Sequence, residues 1–153
     1  MTKTGAWITA AALAAGTLLA APAFAQFAKP EDAVKYRKAA MTLRGAHLGL
    51  IASVVRGDRP FNAAEVQANA AFLDTLSQLP VNAFGSGTDK GDTRAKPEIW
   101  QNQAKFKSYA DDLQKATAAL ASASKSGSLD PVKAAFGGVG KVCKGCHDDF
   151  RKD

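Results

Sequence analysis

The sequence predicts an all-α fold, an antiparallel four-helix bundle, and three observations carry that expectation. Beyond residue 25, apolar side chains recur every three or four residues through four segments, the spacing of one helix face. Proline, glycine, asparagine and serine punctuate those segments at their ends. No strand-period segment competes seriously with these helical stripes. Amphipathic helices joined by short links pack as antiparallel neighbours. Size agrees with one domain. The chain has 153 residues, 46% hydrophobic and 22% charged, a balance that excludes collagen-like and wholly disordered proteins.

Residues 1–25, MTKTGAWITAAALAAGTLLAAPAFA, stand apart from the bundle. Lys3 supplies a positive start, Ala6 to Ala21 form an apolar stretch, and Ala23-Phe24-Ala25 is a small-x-small cleavage site. The segment reads as a secretory signal peptide; a retained anchor is the weaker reading, because the stretch is short and ends at a cleavage site. Cleavage after Ala25 would leave a domain over 26–153, a mature chain of 128 residues with a net charge of +5. No later stretch is long and apolar enough to span a bilayer, so export to the periplasm without a membrane anchor is expected.

The first helix is expected over residues 30–57. Pro30, Glu31 and Asp32 suit a first turn, through the fixed proline φ and the helix dipole. Val34, Met41, Leu48 and Val55 recur every seven residues, Ala40 and Val54 widen the stripe, and Gly57 and Pro60 end it. Leu43, Leu50 and Ile51 lie beside this stripe, where they could widen the core or serve an interface. The second helix, 62–80, opens on Asn62 with Glu65 three residues on, a capping-box variant. Val66, Ala70, Leu73 and Leu76 form its stripe, with Phe72 and Leu79 alongside. The third, 97–124, starts at Pro97-Glu98 and carries Ile99, Phe106, Ala110, Leu113 and Leu120. The fourth, 130–152, is expected to start with Asp130 as cap and Pro131 in the first turn, and aligns Val132, Phe136, Val139, Cys143, Cys146 and Phe150. The link from Val81 to Lys96 is long and carries Gly85, Ser86, Gly87 and Gly91. Such loops are often functional, and a solvated crossover is the bland reading. Gly137, Gly138 and Gly140 are costly within a helix, by about 1 kcal/mol each relative to Ala. Close approach to another group or a local distortion would account for them.

The net charge of +6 is scattered, with no run of five like charges, so a nucleic-acid partner is not expected. The chemistry lies in one pentapeptide, Cys143-Lys144-Gly145-Cys146-His147. CxxCH reads as a covalent haem attachment site, giving one haem c. Each thiol can add across one haem vinyl group, and the adjacent imidazole can then bind iron. A thioredoxin-type CxxC requires a βαβ context. Structural zinc requires four ligands, and the only other histidine is His47. A plain disulfide leaves His147 without a role.

The motif sits at the C-terminus inside the fourth helix. With it stand Gln26-Phe27-Ala28-Lys29-Pro30-Glu31-Asp32-Ala33-Val34-Lys35-Tyr36-Arg37, Ala83-Phe84-Gly85 with Gly91-Asp92, Pro97-Glu98-Ile99-Trp100, and Ala134-Ala135-Phe136-Gly137. In these stretches the chain resembles cytochrome c′, the class II c-type cytochromes, and most of all the denitrifier-type members, over essentially the whole mature length. The resemblance implies His147 as the proximal iron ligand and Arg151, four residues on along one helical face, as the proximal arginine; a C-terminal cation favouring the helix dipole is the bland role for Arg151. It places Met41 at the distal position, covering an iron that stays five-coordinate. The alternative is a low-spin, six-coordinate electron carrier with the Met41 thioether as sixth ligand. It matches Arg37 to a propionate-contacting arginine and Lys38 to the next contact, commonly a Gln in the family. Asp92 matches a further contact, through its backbone if the propionate is ionised. Ordinary surface charge is the alternative for all three.

The resemblance further implies binding of small gases, nitric oxide and carbon monoxide, with an apolar distal lid offering no hydrogen bond to dioxygen. It also implies a homodimer formed by crossing the first two helices. A redox partner protein is not identifiable from the sequence. A hydrolase or transferase has little support, with no triad and no phosphate loop. Phe84, Trp100, Phe106, Phe136 and Phe150 read as packing residues.

Overall fold

The computed structural model describes residues 27–153, so the expected signal peptide over 1–25 and its expected cleavage site lie outside the described residues. Four long helices follow in order: α1 (Pro30–Val55), α2 (Ala63–Ser77), α4 (Gln103–Ser124) and α5 (Leu129–Phe150). A 3-10 turn, Val81–Ala83, and a single helical turn, α3 (Glu98–Gln101), interrupt the link between α2 and α4. The long helices pack in a ring, α1 on α2, α2 on α4, α4 on α5 and α5 on α1, the antiparallel four-helix bundle.

Local chemistry sets the helix ends. Pro30 opens α1 with Glu31 and Asp32 in its first turn, and Gly57, at φ 84°, turns the chain where a Cβ would be strained. The Asn62 side chain accepts from the Glu65 backbone N–H at 3.1 Å to cap α2. The third segment departs from expectation. At Asn102 the backbone turns out of the helix (φ −131°, ψ 62°), and its side chain caps α4 by accepting from the Lys105 N–H at 3.2 Å. One apolar stripe therefore spans a break. The last helix also starts earlier than expected. Ser128 flanks it, Leu129 is its first residue, and Asp130 lies in the first turn without a side-chain cap. At its far end Arg151 is extended, not helical, and pairs with Ala95 in an isolated bridge.

The core fills only one half of the bundle. Ile51 and Val54 of α1, Val66, Ala70 and Leu73 of α2, Leu120 of α4, and Val132 and Val139 of α5 form one buried cluster. Each such large apolar side chain contributes about 1.5–3 kcal/mol on burial. Ile51 belongs to this core at 1% exposure, whereas Leu43 (49%) and Leu50 (39%) stay on the surface. The other half of the bundle is hollow, between residues 37–48 of α1 and 139–150 of α5. Gly137, Gly138 and Gly140 lie in an unbroken α5, and a Cβ there would meet nothing within 4 Å, so neither a distortion nor a neighbouring helix explains them.

Candidate functional site

The hollow half holds a cavity of about 550 Å³, within the range of about 300–1,000 Å³ that ligand pockets occupy. Apolar groups from every long helix line it, among them Leu48, Leu73, Leu113, Val139 and Phe150. On the α5 wall stand Cys143, Cys146 and His147; on the α1 wall, Arg37, Lys38 and Met41; Asp92 and Arg151 reach it from the loop and the tail. All eight residues singled out from the sequence thus border one space.

The α5 wall is chemically neutral. Both cysteines are free thiols, half-buried and three residues apart. Burial raises the Cys143 pKa. Cys146 is pushed up to about 11, first by burial, then by the negative potential of Cys143 and Asp149. His147 is lowered, first by burial, then by the Arg151 and Arg94 charges, with Asp148 opposing. Its imidazole is therefore uncharged at neutral pH, with a lone pair available to a metal. Among the described residues no group of three or more His, Cys, Asp or Glu side chains could hold a bare metal ion. Two thiols, one neutral imidazole and an apolar cavity suit a metal that arrives in a flat, largely apolar ring, as haem does.

Gly145, between the cysteines, has a structural reason that the motif does not announce. A Cβ there would lie 3.1 Å from Tyr109 Cε1. With that space free, the α4 tyrosine lies against the motif and its hydroxyl donates to Asp149 Oδ2 at 2.8 Å, where Lys105 Nζ also pairs at 2.9 Å.

The long link is stitched down at both ends. Arg37, 3% exposed, donates to Ala83 O at 3.2 Å, Thr88 Oγ1 at 3.2 Å, Thr88 O at 2.8 Å and Thr93 Oγ1 at 2.9 Å. Its guanidinium also lies 4.6 Å from the Phe84 ring centroid and 5.5 Å from that of Trp100, whose Nε1 donates to Gly85 O at 2.8 Å. The donors of Arg37 therefore serve mainly the loop. At the other end, Lys96 N donates to Phe150 O at 2.9 Å and Lys152 N to Arg94 O at 2.8 Å. This pairing explains Arg151. It reaches the cavity from an extended tail beyond the helix, not from the helical face shared with His147 that four-residue spacing suggests. Lys38 Nζ meets Asp92 Oδ2 at 2.5 Å beside the cavity, and this hydrogen bond and charge hold the Asp92 carboxyl below its ordinary range.

Met41 faces the cavity at 40% exposure. Its sulfur accepts from Arg44 Nη1 at 3.6 Å. Arg44 escaped the sequence reading, although it stands three residues from Met41 and hence on its side of α1. Its Nε and Nη2 donate to Leu76 O at 3.0 and 2.8 Å, and Nη2 to Ser77 O at 2.8 Å, capping α2, which has no basic residue in its own last turn. The α1 wall is therefore not a wholly apolar lid. His47 lies outside the cavity lining; its Nδ1 is 2.7 Å from Asn69 Oδ1, and its ring stacks on Phe72.

A family model described as Cytochrome C' matches residues 32–151. Cytochrome c′ of Alcaligenes xylosoxydans xylosoxydans is 51% identical over 127 residues, 83% of this chain and 98% of that protein. Among solved structures, cytochrome c′ of Rubrivivax gelatinosus superposes with a TM-score of 0.80 at 47% identity, covering 83% of this chain and all of that one. A nitric oxide complex of a cytochrome c prime mutant from Alcaligenes xylosoxidans superposes at 0.78 with 49% identity, covering 84% of this chain and 99% of that one.

Proposed function

The chain belongs to the cytochrome c′ family, whose cofactor is haem c, and from that premise we propose that it is a periplasmic gas-binding haem protein with five-coordinate, high-spin iron. The observation that carries this reading is the placement of Cys143, Cys146 and a neutral His147 on one wall of a single apolar cavity, with Met41 on another. When bound, the haem supplies an iron atom that takes a small gas and exchanges one electron. The protein's own residues determine access. Cys143 and Cys146 would tether the ring, and the neutral His147 would offer its lone pair to the iron. Met41, on the facing wall with its sulfur engaged by Arg44, would cover the bound ring. Lys38 and Arg37 would supply positive charge for the haem carboxylates, with Asp92 paired to Lys38. Burial, aided by the Arg151 and Arg94 charges, lowers the His147 pKa from its ordinary value.

Nitric oxide and carbon monoxide are the ligands this site suits, and the nitric oxide complex solved for a similar protein supports the first. The role is that of a binder and one-electron carrier, not an enzyme. Export is supported by the leader over residues 1–25. Among the described residues no helix is long and apolar enough to cross a membrane. A homodimer is supported by the exposed apolar side chains of α1 and α2, Leu43 and Leu50 together with Phe72 at 56% exposure. The second reading, with Met41 as sixth ligand, is favoured by one observation: its side chain faces the cavity. Met41→Ala separates the two. A lid variant remains high-spin and binds carbon monoxide more tightly, whereas loss of a ligand converts a low-spin spectrum to high-spin.

A further inference from the structure

The α4 wall of the cavity holds a residue that none of the roles above uses. Tyr109 lines the cavity, and its side chain reaches α5 at two places. Its ring covers Gly145, where a Cβ would stand 3.1 Å from Cε1 and 3.3 Å from the hydroxyl oxygen. Its hydroxyl donates to Asp149 Oδ2 at 2.8 Å, and its ring meets that of Phe150 edge-on with centroids 6.1 Å apart. Residues 145 and 149 stand two before and two after His147, so one side chain brackets the histidine along α5.

The bracket matters because of where His147 sits. It lies in the last turn of α5, which ends at Phe150, with Arg151 already extended. The last carbonyls of a helix lack helical partners, so a terminal turn frays unless other groups hold it. On one side the long link holds this turn, through Lys96 N to Phe150 O and Lys96 Nζ to Asp148 O, both at 2.9 Å. On the other side α4 holds it, through Tyr109 and the Lys105–Asp149 ion pair. The lysine of that pair is half-exposed, and such pairs contribute little. The tyrosine hydroxyl instead makes a part-buried bond to a charged acceptor, the stronger kind. A metal-binding histidine is usually oriented by a hydrogen bond to its second ring nitrogen. Among the described residues no protein group makes that bond to His147. The direction of its imidazole is therefore set by the turn that carries it.

We propose that Tyr109 is the positioning residue for the axial ligand: by holding Gly145 and Asp149 it fixes the direction in which the His147 imidazole meets the haem iron. The inference rests on the haem reading above. Tyr109 acts through the backbone between residues 145 and 149. Losing its bond to Asp149 lets the last turn rotate and tilts the imidazole, while the bundle stays folded around the solid core of its other half.

The readout is proton NMR of the ferric holoprotein. Its paramagnetically shifted haem-methyl resonances report the orientation of the axial imidazole, with or without a sixth ligand on iron. Tyr109→Phe keeps the ring over Gly145 and removes the bond to Asp149; Asp149→Ala removes the same bond from the other side. Each is expected to shift the methyl resonances, and adding Tyr109→Phe to Asp149→Ala is expected to shift them no further, because both remove one interaction. Asp149→Asn leaves the hydroxyl an acceptor oxygen and is expected to retain the wild-type pattern. Asn102→Ala removes the α4 cap, and is expected to lower the denaturant midpoint with the methyl pattern unchanged. The wild-type pattern in Tyr109→Phe, a further shift in the double variant, a shift in Asp149→Asn as large as in Asp149→Ala, or an equal shift in Asn102→Ala would overturn the proposal. If Asp149→Ala does not fold, Tyr109→Phe set against Asn102→Ala decides alone. A pyridine haemochrome taken first separates the two levels. Without haem c, the site reading fails along with the inference; with haem c present and the methyl pattern indifferent to Tyr109, only the inference fails.

Discussion

Asp92 and Lys38 make a contact whose strength can be read at a single carboxyl. Lys38 holds the Asp92 pKa below its ordinary 3.8, so Asp92 favours the folded state above that value and loses this contribution as pH falls through its lower folded pKa. Carbon-detected NMR titration of Asp92 is expected to show a midpoint below 3.8 that returns toward it in Lys38→Gln; a midpoint unmoved by the substitution would contradict the pairing. The α5 glycines give a second residue-scale contrast. Gly138 faces open space, so Gly138→Ala is expected to stabilise the protein by about 1 kcal/mol through helix propensity alone. Gly145→Ala gains the same propensity but crowds the Tyr109 ring at 3.1 Å, an overpacking cost of about 1–3 kcal/mol. Denaturant unfolding should therefore rank Gly145→Ala below Gly138→Ala. The sequence displayed the cysteines and histidine of the site because their chemistry is written in adjacent letters. Arg44 was hidden because its partners, Leu76 and Ser77, are brought to it by the fold of α2 against α1.

At the scale of elements, the long link is an ordered wall of the cavity whose centre is Arg37. Replacing Arg37 with Ala removes donors from Ala83 O, Thr88 O and two threonine hydroxyls, leaving buried acceptors unpaired at a cost of about 1–3 kcal/mol or more. Hydrogen exchange is expected to accelerate over residues 83–93 with little change in α2 or α4; uniform acceleration would contradict this local role. The four long helices were legible because each combines an apolar period with a breaker. Their ends were less so. Asn102 caps α4 from within an uninterrupted apolar stripe, so the period concealed the break. Arg151 followed helical spacing in the sequence, but pairing with Ala95 draws it into an extended tail. The loop's order was illegible for a related reason: its glycines and serines are local, and the arginine that holds them lies about fifty residues upstream, 51 to Thr88.

For the molecule as a whole, the solid and hollow halves should behave differently when haem is withheld. The cluster around Ile51, Val66, Leu120 and Val132 needs no cofactor to close, whereas the cavity of about 550 Å³ beside Met41 and Cys143 does. Haem-free protein is expected to retain helical circular dichroism and slow exchange in the solid half while residues 37–48 and 142–150 exchange rapidly. Equal protection across both halves would contradict that division. The fold class and the hollow's chemical purpose were both legible in the sequence, the first from periodicity and the second from CxxCH. What periodicity does not encode is which stripe residues meet each other and which meet a cofactor. Ile51 and Met41 occupy the same helix, yet one is 1% and the other 40% exposed.

The most direct test of the central claim is the visible spectrum of the reduced, purified protein. Covalently held haem with Met41 as a lid gives a broad high-spin band; sharp, split α and β bands would show a sixth ligand and contradict the open distal site.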